Sequence, residues 1–168
     1  MEKFLTELFK CFDEAGVLYL VLRNHETLPE TTANDVDMLI DGRQRRLAER
    51  ITREVVQKTG WRIHSRVEFS CLSYYFHRPE TQEQRQVDFM SGISWHSLLY
   101  GDGGAMLRRR VPCKRFYIPS AHDEAMVSLA GSGDLLKYPA KSLSLVLTIL
   151  SLRRPRIHRS LRLPIPNR

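Results

Sequence analysis

The sequence predicts an α+β fold: a mixed β-sheet of about four to six strands, helices packed on it, and a helical C-terminal end. Three observations predict it. Residues 18 to 40 read as strand, polar loop, strand, opening on Leu18-Tyr19-Leu20-Val21-Leu22 and closing on Asn34-Asp35-Val36-Asp37-Met38-Leu39-Ile40. Between Trp61 and Met90 the pattern shifts to the period-two alternation of strands. Around these segments, residues 1 to 15, 43 to 59 and 120 to 130 carry the spacing or start signals of helices.

Taken in order, Phe4, Leu5, Leu8, Phe9 and Phe12 make one apolar face of a first helix, with Gly16 as its stop. A strand follows at 17 to 22, then Arg23-Asn24 and a loop in which Leu28-Pro29 signals a turn. The second strand carries Asp35 and Asp37 and ends at Asp41-Gly42. Residues 43 to 59 form a helix with Leu47, Ile51, Val55 and Val56 on one face and Gly60 after it. Arg45, Arg46, Arg50 and Arg53 are expected on its solvated side. Two strands with a tight link are expected over 61 to 76, a polar loop over 77 to 84, and a short strand at 86 to 90 with Asp88 in its middle.

Beyond it, 95 to 100 is expected to be a short helix and 101 to 104 a flexible turn. Gly101-Asp102-Gly103-Gly104 lacks the strand, helix and Lys of a phosphate-binding loop. Residues 116 to 119 suggest an edge strand, and Ser120 caps a helix with Asp123 and Glu124 in its first turn. A final helix, 140 to 152, is apolar on most sides and needs a partner surface: this domain, a second copy of the chain through self-association, or a partner protein. These elements divide the chain into a domain over 1 to 133, the apolar helix over 134 to 152, and a Pro/Arg tail over 153 to 168 expected to be disordered.

Charge excludes less than its total implies. The net charge is +7, but six arginines and no acid lie in residues 151 to 168. Without them, 20 basic residues face 19 acidic ones, so the body is almost neutral. A nucleic-acid footprint should spread over the binding face, so a nucleic-acid binder rests on the tail alone. No apolar run reaches the roughly 18 to 20 residues of a membrane span, and no secretory signal opens the chain. Three separated cysteines, Cys11, Cys71 and Cys113, argue against a disulfide framework or zinc site and fit a reducing, cytoplasmic setting.

The chemistry sits in the second strand. Alternate side chains share a face, so Asp35 and Asp37 point together while Val36, Met38 and Ile40 point into a core. Two carboxylates about 6 Å apart repel by roughly 3 kcal/mol at an effective dielectric near 20, and by under 1 kcal/mol in open water. In a cleft, a proton or cation must relieve that repulsion, and hard divalent cations favour carboxylate oxygens. At a solvated strand end the same pair would need neither. Val87-Asp88-Phe89 supplies a third acid in a strand that can pair beside the first two.

This arrangement, Asp-x-Asp on one strand and a single Asp 51 positions later, resembles the nucleotidyltransferase superfamily of the DNA polymerase β type. In that family a strand ends in Gly-Ser or Gly-Gly about ten residues before the Asp-x-Asp. Here Leu22-Arg23-Asn24 stands in that place, and ten residues separate Asn24 from Asp35. The wording Leu-Arg-Asn, Leu-Pro, Asn-Asp-Val-Asp looks closest to uncharacterised bacterial nucleotidyltransferase-like proteins associated with cell-surface polysaccharide genes. The resemblance covers roughly residues 17 to 130 and implies the nucleotidyltransferase fold. It also implies two Mg²⁺ ions, about 3.5 to 4 Å apart, on Asp35, Asp37 and Asp88.

The activity it implies is transfer of a nucleoside monophosphate from a nucleoside triphosphate to a hydroxyl of a small molecule or protein. Asp88 would activate that hydroxyl. Asn24 and Arg23 would contact the triphosphate, with Arg23 either adding a charge-assisted bond or obstructing the nucleotide where the family has Gly. The alternative is a catalytically degenerate nucleotidyltransferase fold acting as a binding or regulatory module. The acceptor and the preferred base are not written in the sequence.

Overall fold

The computed structural model describes residues 1–31, 35–95 and 98–131. The fold is α+β. Five strands form a mixed sheet in the order β1-β2-β5-β4-β3: β1 (Tyr19–Val21), β2 (Asp35–Ile40), β3 (Arg62–Glu68), β4 (Leu72–Arg78) and β5 (Glu83–Met90). Only the β2–β5 pair is parallel; the others are antiparallel. The predicted apolar helix at 140 to 152, with its packing or self-association, and the basic tail lie outside the described residues.

One face of the sheet is covered by α1 (Glu2–Glu14) and α2 (Arg45–Thr59). Phe4, Leu8, Phe9 and Phe12 of α1 are fully buried against Tyr19, Met38, Tyr74, Phe76 and Phe89 of the strands. These follow the spacing read from the sequence, as do Ile51, Val55 and Val56 of α2. Gly60 ends α2 in the left-handed region (φ 78°), where its missing side chain removes the steric cost. Glu49 takes ion pairs from Arg45 and Arg53 of α2 and from Arg66 of β3, and accepts a bond from the Tyr74 hydroxyl at 2.9 Å.

The opposite face is covered over only part of its width. Leu20, Leu22 and Leu39 pack there against Met106 and Leu107 of α3 (Gly103–Arg108) and Val127 of α4 (Ala121–Gly131). Gly103 makes the approach of α3 possible, since a Cβ there would sit 3.0 Å from the Ser91 carbonyl oxygen. Toward β4 and β3 this face is exposed, with Val67 and Tyr75 in solvent.

Three expectations are corrected. Where a helix is expected over 95 to 100, β6 (Ile93–Trp95) and β7 (Leu98–Gly101) pair as antiparallel strands. Trp, Ile and Tyr favour strands, and six residues are too few to recover the cost of helix nucleation. Gly101 to Gly104 is no free turn: Gly101 ends β7 and the Asp102 side chain accepts from Ala105 N at 3.1 Å, capping α3. The polar stretch 77 to 84 is mostly ladder, because β4 continues to Arg78 and β5 begins at Glu83. The predicted edge strand is β9 (Phe116–Ile118), paired with β8 (Val111–Cys113) in a small separate sheet.

Candidate metal and nucleotide site

The acidic cluster is a product of strand register. Parallel pairing of β2 with β5 sets Asp35 opposite Gln86 and Asp37 opposite Asp88. Directly opposed side chains share a face. Apolar neighbours on the other face, Val36, Met38, Val87 and Phe89, are buried in the main core and lock this orientation. A one-residue slip would turn all of them outward, so the register is strongly specified. As a result, one carboxylate oxygen from each of Asp35, Asp37 and Asp88 lies within 4.8 Å of the others.

The cluster sits where covered sheet gives way to open sheet. Asp37 is 3% exposed and Asp88 7%, while Asp35 is half-buried. Leu39, one step along the face, belongs to the small core under α3 and α4. On the other side, Gln86 donates from Nε2 to both Asp88 oxygens, at 2.9 and 3.0 Å. Ser73 of β4 stands opposite Asp88. Gln86 also lines an open cavity of about 270 Å³ with His64, Tyr75, His77 and Gln84.

Burial pushes the Asp37 carboxyl above the ordinary Asp range. The Arg23 guanidinium opposes that shift, and the neighbouring charges of Asp35 and Asp88 add to it. Arg23 donates from Nε to Asp37 Oδ2, with its side chain 51% exposed. Local structure puts it there. The Leu22 amide donates to the Asp37 carbonyl at 2.9 Å, which fixes the backbone just before Arg23. The strand then stops, and Asn24 turns the chain through the left-handed region (φ 55°), which Asn tolerates. Asn24 itself is exposed at this corner.

Three carboxylates that each offer an oxygen to one cluster, one of them paired with the Arg23 guanidinium, fit a divalent cation of the Mg²⁺ type. The sequence brought Asp35, Asp37 and Asp88 into view. It did not reveal the Arg23–Asp37 pair or the support of Asp88 by Gln86. The second had a signal: Gln86 lies two residues before Asp88 on the same strand, and so on the same face. A further polar cluster was also missed. Asp123, buried in the first turn of α4, accepts from Arg109 at 2.6 Å and from the Ser120 hydroxyl at 2.7 Å. Beside it His25 and Glu124 approach to 3.3 Å, tying the loop after β1 to α4.

No protein-family profile matches the chain, and no curated protein matches it. Among solved structures, the chain is similar to the solution structure of the antibiotic-resistance factor ANT(2'')-Ia, at 11% identity and a TM-score of 0.44, over 89% of this chain and 82% of that one.

Proposed function

We propose that this protein is a metal-dependent nucleotidyltransferase that moves a nucleoside monophosphate from a nucleoside triphosphate to a hydroxyl of a small molecule or protein. The observation that carries the reading is the convergence of Asp35, Asp37 and Asp88 from two neighbouring parallel strands. Asp35 and Asp37, sharing one strand, would be the principal holders of Mg²⁺. When bound, divalent ions neutralise phosphate charge and make an acceptor hydroxyl a stronger nucleophile. Asn24 and Arg23, at the end of β1, would take phosphate oxygens through an amide and a charge-assisted bond. Asp88 would orient the acceptor hydroxyl and draw its proton.

Strand order supports a division of the site. Arg23 approaches the cluster from the β1 side, whereas Gln86 and the open cavity lie on the β4 side. In-line displacement needs attacking and leaving oxygens on opposite sides of the phosphorus. The triphosphate therefore belongs toward β1 and the acceptor toward β4, beside Tyr75 and His77. The test is equilibrium binding of Mg·NTP, followed by single-turnover release of pyrophosphate, in the wild type and in Asp37→Asn. The reading requires binding that depends on Mg²⁺ and fails in the variant.

A second reading is a catalytically degenerate nucleotidyltransferase fold that binds nucleotide without transferring it. The pairing of Arg23 with Asp37 favours it, because a side chain already provides a cation at a carboxylate the metal would use. Magnesium-dependent nucleotide binding with no pyrophosphate release under any acceptor would select it.

A further inference from the structure

We infer that Arg23 is a tethered counterion that keeps free divalent metal off the acidic cluster and releases it only when a nucleotide arrives. The inference rests on the metal-dependent reading above and adds an order of binding to it. Three carboxylates within 4.8 Å of one another, two of them almost fully buried, need positive charge whether or not a metal is present. The guanidinium that the fold delivers to them is Arg23's, and its charge is felt by Asp37, Asp35 and Asp88. Arg23 contacts Asp37 Oδ2, one of the two oxygens of a carboxylate that belongs to the cluster. A metal on that carboxylate and the guanidinium would compete for its charge and repel each other.

The contact is built to be broken. Arg23 uses Nε, not the two-nitrogen fork that Arg109 makes to Asp123. Half of its side chain is in solvent, so it can leave without opening the core. Its backbone cannot leave, because Leu22 is held to Asp37 by the ladder. A displaced Arg23 would thus remain beside the cluster, where an incoming phosphate offers it a new anionic partner. A guanidinium stays charged at any working pH and pairs well with phosphate. Nucleotide and metal would then bind with positive coupling, each removing an obstacle to the other.

The test is titration of the full chain with Mn²⁺, followed by the electron paramagnetic resonance signal of the free ion, with and without a non-hydrolysable nucleoside triphosphate analogue. The proteins are wild type, Arg23→Gln, Arg23→Lys and Asp37→Asn. Without nucleotide, Arg23→Gln should bind Mn²⁺ at least about tenfold tighter than wild type, since a full charge a few ångströms away is removed. Arg23→Lys keeps the charge and should stay near wild type. The analogue should tighten Mn²⁺ binding more in wild type than in Arg23→Gln. Equal Mn²⁺ affinity of wild type and Arg23→Gln without nucleotide overturns the inference. If both also gain equally from the analogue and Asp37→Asn does not, the transferase reading stands while the counterion role falls. Absence of Mn²⁺ binding in every protein and condition overturns both.

Discussion

Asp37 is the most deeply buried carboxylate of the cluster, and its energetics can be checked without knowing any substrate. It is buried, and burial raises its pKa, with Asp35 and Asp88 adding to the rise and Arg23 only partly offsetting it. The folded state therefore holds that proton more tightly than the unfolded chain, whose carboxyl titrates near 3.8. The stability this contributes is fully present below the unfolded value and is lost as pH rises through the higher folded value. In metal-free buffer with chelator, Asp37→Asn should be as stable as wild type or more stable by about 1 kcal/mol near pH 7. That advantage should shrink toward pH 4. Urea unfolding at several pH values reads it, and an advantage that grows with acidity would refute the account. The proposed function gives Asp88 a different role, at the acceptor hydroxyl. If transfer occurs, Asp88→Asn should lower turnover by about 10² to 10⁴ and leave Mg·NTP affinity within a few fold, because a positioned base contributes that much to rate. Equal loss of nucleotide affinity in Asp37→Asn and Asp88→Asn would make Asp88 only another metal ligand.

At the scale of elements, legibility followed local pattern. The strand carrying Asp35 and Asp37 declared itself through alternation, and α1 and α2 through apolar spacing, because both signals lie within one segment. What could not be read was set by contacts between segments. The parallel register that opposes Asp37 to Asp88 depends on α2, β3 and β4 intervening between the two strands. Arg23 reaches Asp37 only because β1 ends at Val21 and Asn24 turns back. The β6–β7 pair was hidden because its strands are three and four residues long, below the span at which period two can be told from helical spacing.

Ser120 and Asp123 were legible as a helix start, but not as the joint between α3 and α4. Burial raises the Asp123 carboxyl, yet the bonds from Arg109 and Ser120 outweigh it and leave the pKa below the ordinary value. Its stabilisation is present above the unfolded value and is lost as pH falls through the folded one. Asp123→Ala should cost about 2 kcal/mol in urea unfolding at pH 7, since a buried acceptor of charged and neutral bonds is lost. A cost below about 0.5 kcal/mol would show that the joint is not held there.

For the molecule as a whole, the two faces of the sheet divide the work. The face under α1 and α2 holds the aromatic core, and there Phe9→Ala should cost about 3 to 5 kcal/mol, measured by the same unfolding. The other face is half-covered by α3 and α4 and half-open, and the acidic cluster lies at that border. Such a layout gives charged side chains a rigid base and one accessible side. Substitutions on the open half, such as Tyr75→Ala, should leave the unfolding midpoint within about 0.5 kcal/mol of wild type. The central claim is that this border is a metal-dependent nucleotide site. Its most direct measurement is calorimetric titration of the full chain with a nucleoside triphosphate in Mg²⁺ and again in chelator. The account predicts saturable one-to-one binding in Mg²⁺ that is lost in chelator and at least tenfold weaker in Asp37→Asn, whereas binding of equal strength in chelator, or undiminished by Asp37→Asn, would contradict it.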